Sequence, residues 1–335
     1  GALPTELQGR LNWPEKNSTD PLFCQYSSGR NRTQKNSLAS FLQIDNHEFD
    51  VNIEETYTGS IEMDEREIVE RSKNGPVTVQ SLISDLTALG LAPGDTVLVH
   101  SSLSALGWVC GGPVAVILAL EETIHSYGTL IMPTHSGDLS DPAAWENPPV
   151  PKEWWIPIQK SMPPFDPELT PCRGMGAIPE CFRNQRNVIR STHPHFSFAG
   201  WGEHAVQILD SHSLNFGLGE NSPLARLYEF DGKVLLLGTD HSCNTSLHLS
   251  EIRASYPQKR VRFFHAPMIV NGHRRWNRFR DIDYDSDDFA QIGRDFEKHY
   301  HQEVSVGPAG YGKARLFSQR LCVDYGVKWI SRQRR

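Results

Sequence analysis

Hydrophobic positions are sparse and without period over residues 1 to about 60, where Asn, Ser, Thr, Gln and charge dominate around short patches such as Leu22-Phe23-Cys24. A segment that cannot bury enough apolar surface to offset chain entropy reads as an extension, partly disordered or draped over the rest. Helical signal begins near Met63 and returns as an amphipathic run at Val79–Leu89. Then the pattern alternates. Thr96-Val97-Leu98-Val99-His100, Thr129-Leu130-Ile131-Met132-Pro133 and Lys233 to Gly238 are short apolar runs of the kind that form buried strands. Pro113 to His125 reads as a helix, with Gly111-Gly112 before it and proline in its first turn. Thr245 to Ser255 reads as another. Residues 138 to 172 hold many Pro and Trp and predict a long ordered loop, a length that usually serves function. Strands alternating with helices predict a layered α/β fold, a sheet flanked by helices.

The 335 residues are 38% hydrophobic, enough for one large domain or two modest ones. A net charge of −7 argues against a nucleic-acid binder, which needs a basic footprint, and suits a cationic partner, although the same acidity also serves plain solubility. Six cysteines are scattered with no C-x-x-C pair, so neither a zinc ribbon nor a disulfide scaffold is indicated, and a reduced cytoplasmic setting is expected. No run approaches the ~18 apolar residues of a membrane span. The start of the chain lacks the basic-then-apolar layout of a signal peptide. The sequons at Asn17 and Asn31 therefore carry no expectation of glycosylation, and the one at Asn244 falls in a segment that bears chemistry.

Four segments bear chemistry. His100-Ser101-Ser102-Leu103-Ser104 leaves a strand and runs through Gly111-Gly112 into a helix N-terminus, where exposed N–H groups and the positive dipole end suit phosphate. It is neither a P-loop nor a G-x-G-x-x-G fingerprint, and a Ser-rich turn of no function fits the spacing equally well. His193-Pro194-His195 has H-x-H spacing; proline would hold the backbone extended and put both rings on one side. No third metal ligand stands at a recognisable distance, and a buried structural histidine competes with any ligand role. After the strand ending at Gly238, Asn244 or Thr245 caps a helix on which His248 and Glu251, three apart, share a face. The helix start disfavours an imidazolium and the carboxylate favours one, an arrangement suited to a general base, though also common as a plain surface pair. Finally, Asp281 to Asp288 holds five aspartates in eight positions. Ser286 and Ile292 stand where an EF-hand needs Gly and Glu. Such a run is a solvated acidic turn, or one wall of a pocket for several ammonium groups with Asp138 and Asp141 opposite.

In order and spacing these stretches resemble the aminoglycoside 3-N-acetyltransferase family over roughly residues 76 to 330. The similarity is carried by Pro93-Gly94-Asp95, Val99-His100-Ser101-Ser102-Leu103, Gly128 through Pro133, Pro164-Phe165-Asp166-Pro167, Arg190-Ser191-Thr192-His193-Pro194, Asn221-Ser222-Pro223-Leu224-Ala225-Arg226-Leu227 and Asn244 through Glu251. The resemblance implies a three-layer α/β/α fold with a central mixed sheet, unlike the GNAT acetyltransferases. Residues 1–75 would be an extension of unknown function and 76–335 the catalytic domain. It also implies acetyl-CoA as donor, no metal, and direct transfer to an amine of an aminoglycoside-like polyamine, at the 3-amino position. His248 falls at the family's catalytic base and Glu251 at its partner. The coenzyme set would be His100, Ser101, Ser102, Leu103, Ser104, Gly111, Gly112, Thr134 and Ser197. The acceptor set would be Asp138, Asp141, His193, His212, Glu220, Asp283 and Asp285. Two rivals remain: a metal-dependent hydrolase using His193, His195, His241 and Glu251, and an inactive CoA- or sugar-binding homologue. Monomer and homodimer are both open.

Overall fold

The computed structural model describes residues 64–146 and 148–334; the readings made on the extension, through Met63, lie outside them. These residues belong to a compact unit spanning Ser60–Arg335. In chain order its elements are α1 (Glu65–Arg71), α2 (Val79–Leu89), β1 (Thr96–Ser101), α3 (Gly112–Ile124), β2 (Thr129–Pro133), α4 (Trp155–Ser161), α5 (Ala177–Arg183), β3 (Ile189–Arg190), β4 (Phe198–Gly202), α6 (Ala205–Leu209), α7 (Pro223–Glu229), β5 (Lys233–Leu237), α8 (Ser246–Arg253), β6 (Val261–Val270), β7 (His273–Ile282), α9 (Phe289–His299), β8 (Ser305–Ala309), β9 (Gly312–Ser318) and α10 (Gln319–Gln333).

Seven strands form one mixed sheet in the order β3-β4-β2-β1-β5-β9-β8. β1 runs parallel to β2 and β5, and the other pairings are antiparallel. Successive residues of the central strands feed opposite cores. Val97, Val99, Leu130, Met132, Leu235 and Leu237 pack in one cluster with Leu82 and Leu86 of α2, Ile117 and Leu120 of α3 and Phe182 of α5. Leu98 and Ile131 pack on the other side with Leu224, Leu249 and Val323, while Val234 and Leu236 meet Phe289, Phe296 and Ile330. Both faces are covered, so the strands read as continuous apolar runs rather than alternating ones. This is the expected three-layer α/β/α arrangement. Each fully buried aliphatic side chain in these clusters contributes roughly 1.5–3 kcal/mol of transfer free energy.

Three features position the site. Gly238 ends β5 at φ 73°, and a Cβ there would lie 2.8 Å from Ser102 O, so only glycine lets the two strand ends cross this closely. β6 and β7 form a separate ten-pair hairpin from Val261↔Ile282 to Val270↔His273. It is closed by Asn271 and Gly272, both at positive φ, as a two-residue type I′ turn requires. The 138–172 stretch is not a plain loop. It contains single 3₁₀ turns at Pro142–Ala144 and Lys152–Trp154 and then α4. The hairpin holds it: Arg274 Nε donates to Met162 O (2.8 Å) and Trp276 Nε1 to Gln159 O (2.5 Å). Among the described residues, no helix is long and apolar enough to cross a membrane.

Candidate active site

At the start of α8, Asn244 Oδ1 accepts from Ser246 N at 3.2 Å, while Thr245, at the cap position itself, makes no side-chain capping bond. The fully buried Asn244 thus does the capping. His248 lies in the first turn, as expected. Its Nδ1 faces Glu251 Oε2 at 2.5 Å, and the ring packs on Tyr284 and Phe289 with centroids 4.8 and 4.7 Å away. The His248 side chain stays 18% exposed, while Glu251 is completely buried. With its proton donated from Nδ1 to the carboxylate, the imidazole presents an unprotonated Nε2, which makes no hydrogen bond among the described residues. The second carboxylate oxygen, Oε1, accepts from Asp285 N (3.0 Å) and from Arg334 Nη1 (2.5 Å).

The acidic run proves to wrap cations of the chain itself. Arg334 forks onto both oxygens of Asp288 (2.8 and 2.6 Å) and also donates to Asp285 O (2.7 Å). Asp283 pairs with Arg262 at 2.7 Å. Asp281 is buried and accepts from Gly217 N and Ile282 N, and that burial pushes its carboxyl above the usual range.

The pair stands beside the carboxyl ends of the parallel strands, where such sheets place ligands. His100 and Ser101 finish β1; His100 Nε2 and Ser101 Oγ are buried with no hydrogen-bond partner among the described residues. Burial first, and then the charge on His248, hold His100 down at about 3. His135, two residues past β2, is held down at about 3 by the same two causes in the same order, and its Nε2 is likewise unpartnered. Nothing in the sequence singled out His135, a lone histidine after a strand. Ser102 N donates to Leu237 O at 2.9 Å, and the Ser102 and Ser104 hydroxyls lie 3.5 Å apart. The 13-residue α3 follows with Gly111 (φ 91°) at its cap position and no side-chain capping bond; Gly112 N donates to Val109 O.

The other anticipated residues divide. Thr134 and Ser197 are fully buried, and Arg190 Nε donates to both hydroxyls (3.1 and 3.0 Å). His193 and His212 lie inside the protein with ring centroids 4.9 Å apart, tilted by 33°. The backbone between His193 and His195 is a turn rather than the extended stretch expected from Pro194: His193 Nδ1 accepts from the backbone N–H of His195 (3.1 Å) and of Phe196 (3.0 Å), and that local bond curls the chain. Asp138 borders a cleft of 590 Å³ with His135, Trp145, Arg173, His195 and Phe196. Asp283 and Asp285 border a different hollow of 840 Å³ with Tyr256, Arg260 and Arg334, so the two acidic segments do not face each other across one pocket. Asp141 caps the 3₁₀ turn at Ala143 and lies 3.9 Å from His265. Glu220 is engaged by Arg253 through both oxygens (2.8 and 2.9 Å). The hydrolase set does not assemble: His241 bonds Glu297 at 3.1 Å and Glu251 is held by Arg334. Among the described residues, no three His, Cys, Asp or Glu side chains converge as metal ligands.

The sequence profile of aminoglycoside 3-N-acetyltransferase matches residues 98–331. The chain belongs to the aminoglycoside 3-N-acetyltransferase family. It is 47% identical to the SPbeta prophage-derived aminoglycoside N(3')-acetyltransferase-like protein YokD of Bacillus subtilis over 266 residues, 79% of this chain and 96% of that one. It is 42% identical to aminoglycoside N(3)-acetyltransferase VIII of Streptomyces fradiae over 286 residues, 80% and 96% of the two chains. The crystal structure of the Bacillus subtilis YokD protein superposes with a TM-score of 0.77 at 46% identity, covering 80% of this chain and 98% of that one. The family's enzymes are acyltransferases, and its fold is the three-layer one found here rather than that of GNAT enzymes.

Proposed function

We propose that the protein transfers the acetyl group of acetyl-CoA to an amine of an aminoglycoside-like polyamine, the 3-amino group by family resemblance, with His248 as general base. The observation that carries this reading is the His248–Glu251 pair (2.5 Å) beside the ends of the parallel strands. Two solved relatives support the substrates: AAC-IIIb is described as a binary complex with CoASH (32% identity, TM-score 0.69) and AAC-VIa as bound to sisomicin (29% identity, TM-score 0.70). The residues present fit an anionic coenzyme. The start of the 13-residue α3, with no side-chain cap, and the unpartnered Ser101 hydroxyl at the end of β1 offer donors. Acetyl-CoA, when bound, supplies a thioester-activated acetyl group. The chain's own part is proton handling: His248 Nε2 takes a proton from the attacking amine, and Glu251 holds the ring by Nδ1 and steadies the imidazolium. Asp138 and the cleft beside His135 and His195 suit a cationic acceptor. Residues 76–335 carry the chemistry in this reading, in a cytoplasmic setting.

The test is release of free thiol from acetyl-CoA, monitored against a panel of aminoglycosides and simpler polyamines. Release that depends on an aminoglycoside is expected, with the product N-acetylated at one amine. Calorimetry showing no coenzyme binding, or binding without acceptor-dependent release across the panel, would overturn the proposal.

A further inference from the structure

We infer that Arg334 is a positioning residue of the acetyl-transfer centre: its guanidinium, braced by Asp288, fixes the buried Glu251 carboxylate in the one orientation that receives the His248 Nδ1 proton. The inference rests on the reading of His248 as base, and concerns how that base is held.

The geometry is a chain of alternating charges. Asp288 takes two donors of Arg334, Nε at 2.8 Å and Nη2 at 2.6 Å. The same guanidinium reaches Glu251 Oε1 through Nη1 at 2.5 Å. Oε1 also takes Asp285 N at 3.0 Å, so two donors hold one oxygen and leave Oε2 for His248. Arg334 lies over the Tyr256 ring, 5.3 Å from its centre, and only 11% of its side chain is exposed. A planar fork engaging two carboxylates at once cannot be reproduced by an ammonium. The loop between β7 and α9 is the scaffold. Asp285 gives its N–H to Glu251 and its carbonyl to Arg334, while Tyr284, the residue before it, packs on the His248 ring. Within the aspartate run, the Asp288 carboxylate and the Asp285 backbone carbonyl thus hold a cation 83 residues from Glu251 in sequence.

The need for such a cation follows from burial. A carboxylate with no exposed surface and only a neutral imidazole for partner is costly to ionise. Without Arg334, the His248–Glu251 pair would bind a proton more tightly, whichever of the two residues carried it. A protonated pair cannot take the proton of the amine. The other groups acting on the pair come from several elements. Asp285 and Asp288 face it from the loop before α9; Asp281 and Tyr284 act on it from the end of β7; Tyr256 and Lys259 lie after α8; His100 and His135 stand at the ends of β1 and β2. None of these is a cation in direct contact with the carboxylate; besides His248 itself, Arg334 is the cationic side chain that touches it among the described residues.

The test compares wild type with Arg334→Gln and Arg334→Lys in the full chain. Arg334→Gln is expected to lower kcat by ~10- to 100-fold, to leave KM for coenzyme and acceptor within about twofold, and to move the acidic limb of kcat/KM to higher pH. Arg334→Lys keeps the charge but not the fork, so its limb stays near that of wild type while kcat falls. Independently of activity, the proton shared between His248 and Glu251 should give a far-downfield proton resonance in wild type, absent in His248→Ala and weakened or lost in Arg334→Gln. Should Arg334→Gln not fold, the Lys variant and its resonance carry the test. Unchanged kcat, pH limb and resonance in a folded Arg334→Gln variant, or in the Lys variant an unchanged kcat and resonance, would overturn the inference. A wild type with no acetyl transfer, whose resonance is nonetheless weakened or lost in Arg334→Gln, would instead sink the functional reading and leave the orientation of Glu251 by Arg334 standing.

Discussion

His248 and the pair His193 and His212 are built in opposite ways. His248 has a carboxylate on one ring nitrogen, no hydrogen-bond partner among the described residues on the other, and an opening to solvent. His193 and His212 have both nitrogens engaged by the protein and no carboxylate. His193 accepts two backbone N–H groups at Nδ1 and donates from Nε2 to Leu214 O; His212 takes the Ser191 hydroxyl at Nδ1 and donates from Nε2 to Gly217 O. Burial holds His193 well below its usual range, and holds His195 and His212 at about 4. A ring whose nitrogens are both used, and whose cation is penalised, is poorly placed to take a proton. A ring with a buried anion behind it and a free nitrogen in front can take and return a proton. In the proposed reading, the segment richest in histidine is thus not the one that supplies the base.

The sharpest way to break this contrast is to remove His248. His248→Ala should reduce kcat by ~10²- to 10⁴-fold, the usual effect of losing a positioned base, with coenzyme affinity by calorimetry nearly unchanged. Activity that survives would transfer the role to a histidine now assigned to structure. Glu251→Gln comes next. Arg334 and Asp285 N both donate to Oε1, so the amide oxygen should settle there and turn the NH₂ toward His248 Nδ1. The ring would then carry its proton on Nε2, the wrong tautomer for a base, and kcat should fall to within ~10-fold of the His248→Ala value. The double variant should be little worse than either alone, because residues acting as one unit are not additive.

Much of this was legible beforehand, for physical reasons. β1, β2, β5, α2 and α3 are buried or half-buried elements with clear periods and glycine or proline punctuation, and each was placed within about a residue of its observed ends. His248 and Glu251 were found because their three-residue spacing is local. The β6–β7 hairpin was missed although Asn271-Gly272 is a strong turn signal, because its flanks are crowded with arginine and only partly buried. Arg334 could not be found from spacing, since its partners lie 46 and 83 residues away. The acidic run posed the right question, what cation sits among the aspartates, but the answer was a side chain and not only a ligand.

The buried histidines predict an acid-labile fold. Their unfolded range is near 6.5, whereas His100 and His135 sit at about 3 and His195 and His212 at about 4 in the folded chain. Above 6.5 they are neutral in both states and cost nothing. As pH falls from 6.5 toward 4 the unfolded chain gains protons first, so stability declines across that window, and the contribution flattens near 3. Tm measured from pH 7.5 to 4 should fall, with proton uptake on unfolding; a flat curve would mean these rings are not buried as described. In the same region, Gly217→Ala would place a Cβ 2.5 Å from His193 Nε2. It should cost roughly 1–3 kcal/mol of stability by overpacking and lower Tm, while leaving kcat at permissive temperature close to wild type. A large loss of kcat without loss of stability would bring His193 back into the active site.

The smallest expected effect concerns the acidic run, where the contrast is between a carboxylate that serves the base and one that serves the surface. The Asp288 carboxylate is tied to Glu251 through Arg334, whereas the Asp283 carboxylate pairs among the described residues with Arg262, at 2.7 Å, with side chains 48% and 57% exposed. An exposed pair of this kind is worth about 0.2–1 kcal/mol and is screened by salt. Asp283→Asn should therefore shift Tm by little, leave kcat unchanged, and change acceptor KM by less than about threefold at physiological ionic strength. Asp138→Asn supplies the comparison, because Asp138 borders the cleft beside His135 and His195 and its nearest cation, Arg173, is 4.0 Å away. Its removal should raise acceptor KM more than removal of Asp283 does, and the difference should shrink as salt is added. If Asp283→Asn instead gives the larger, salt-sensitive rise in KM, the acceptor lies along the hollow lined by Tyr256, Arg260 and Asp285, and the cleft beside His195 serves another purpose.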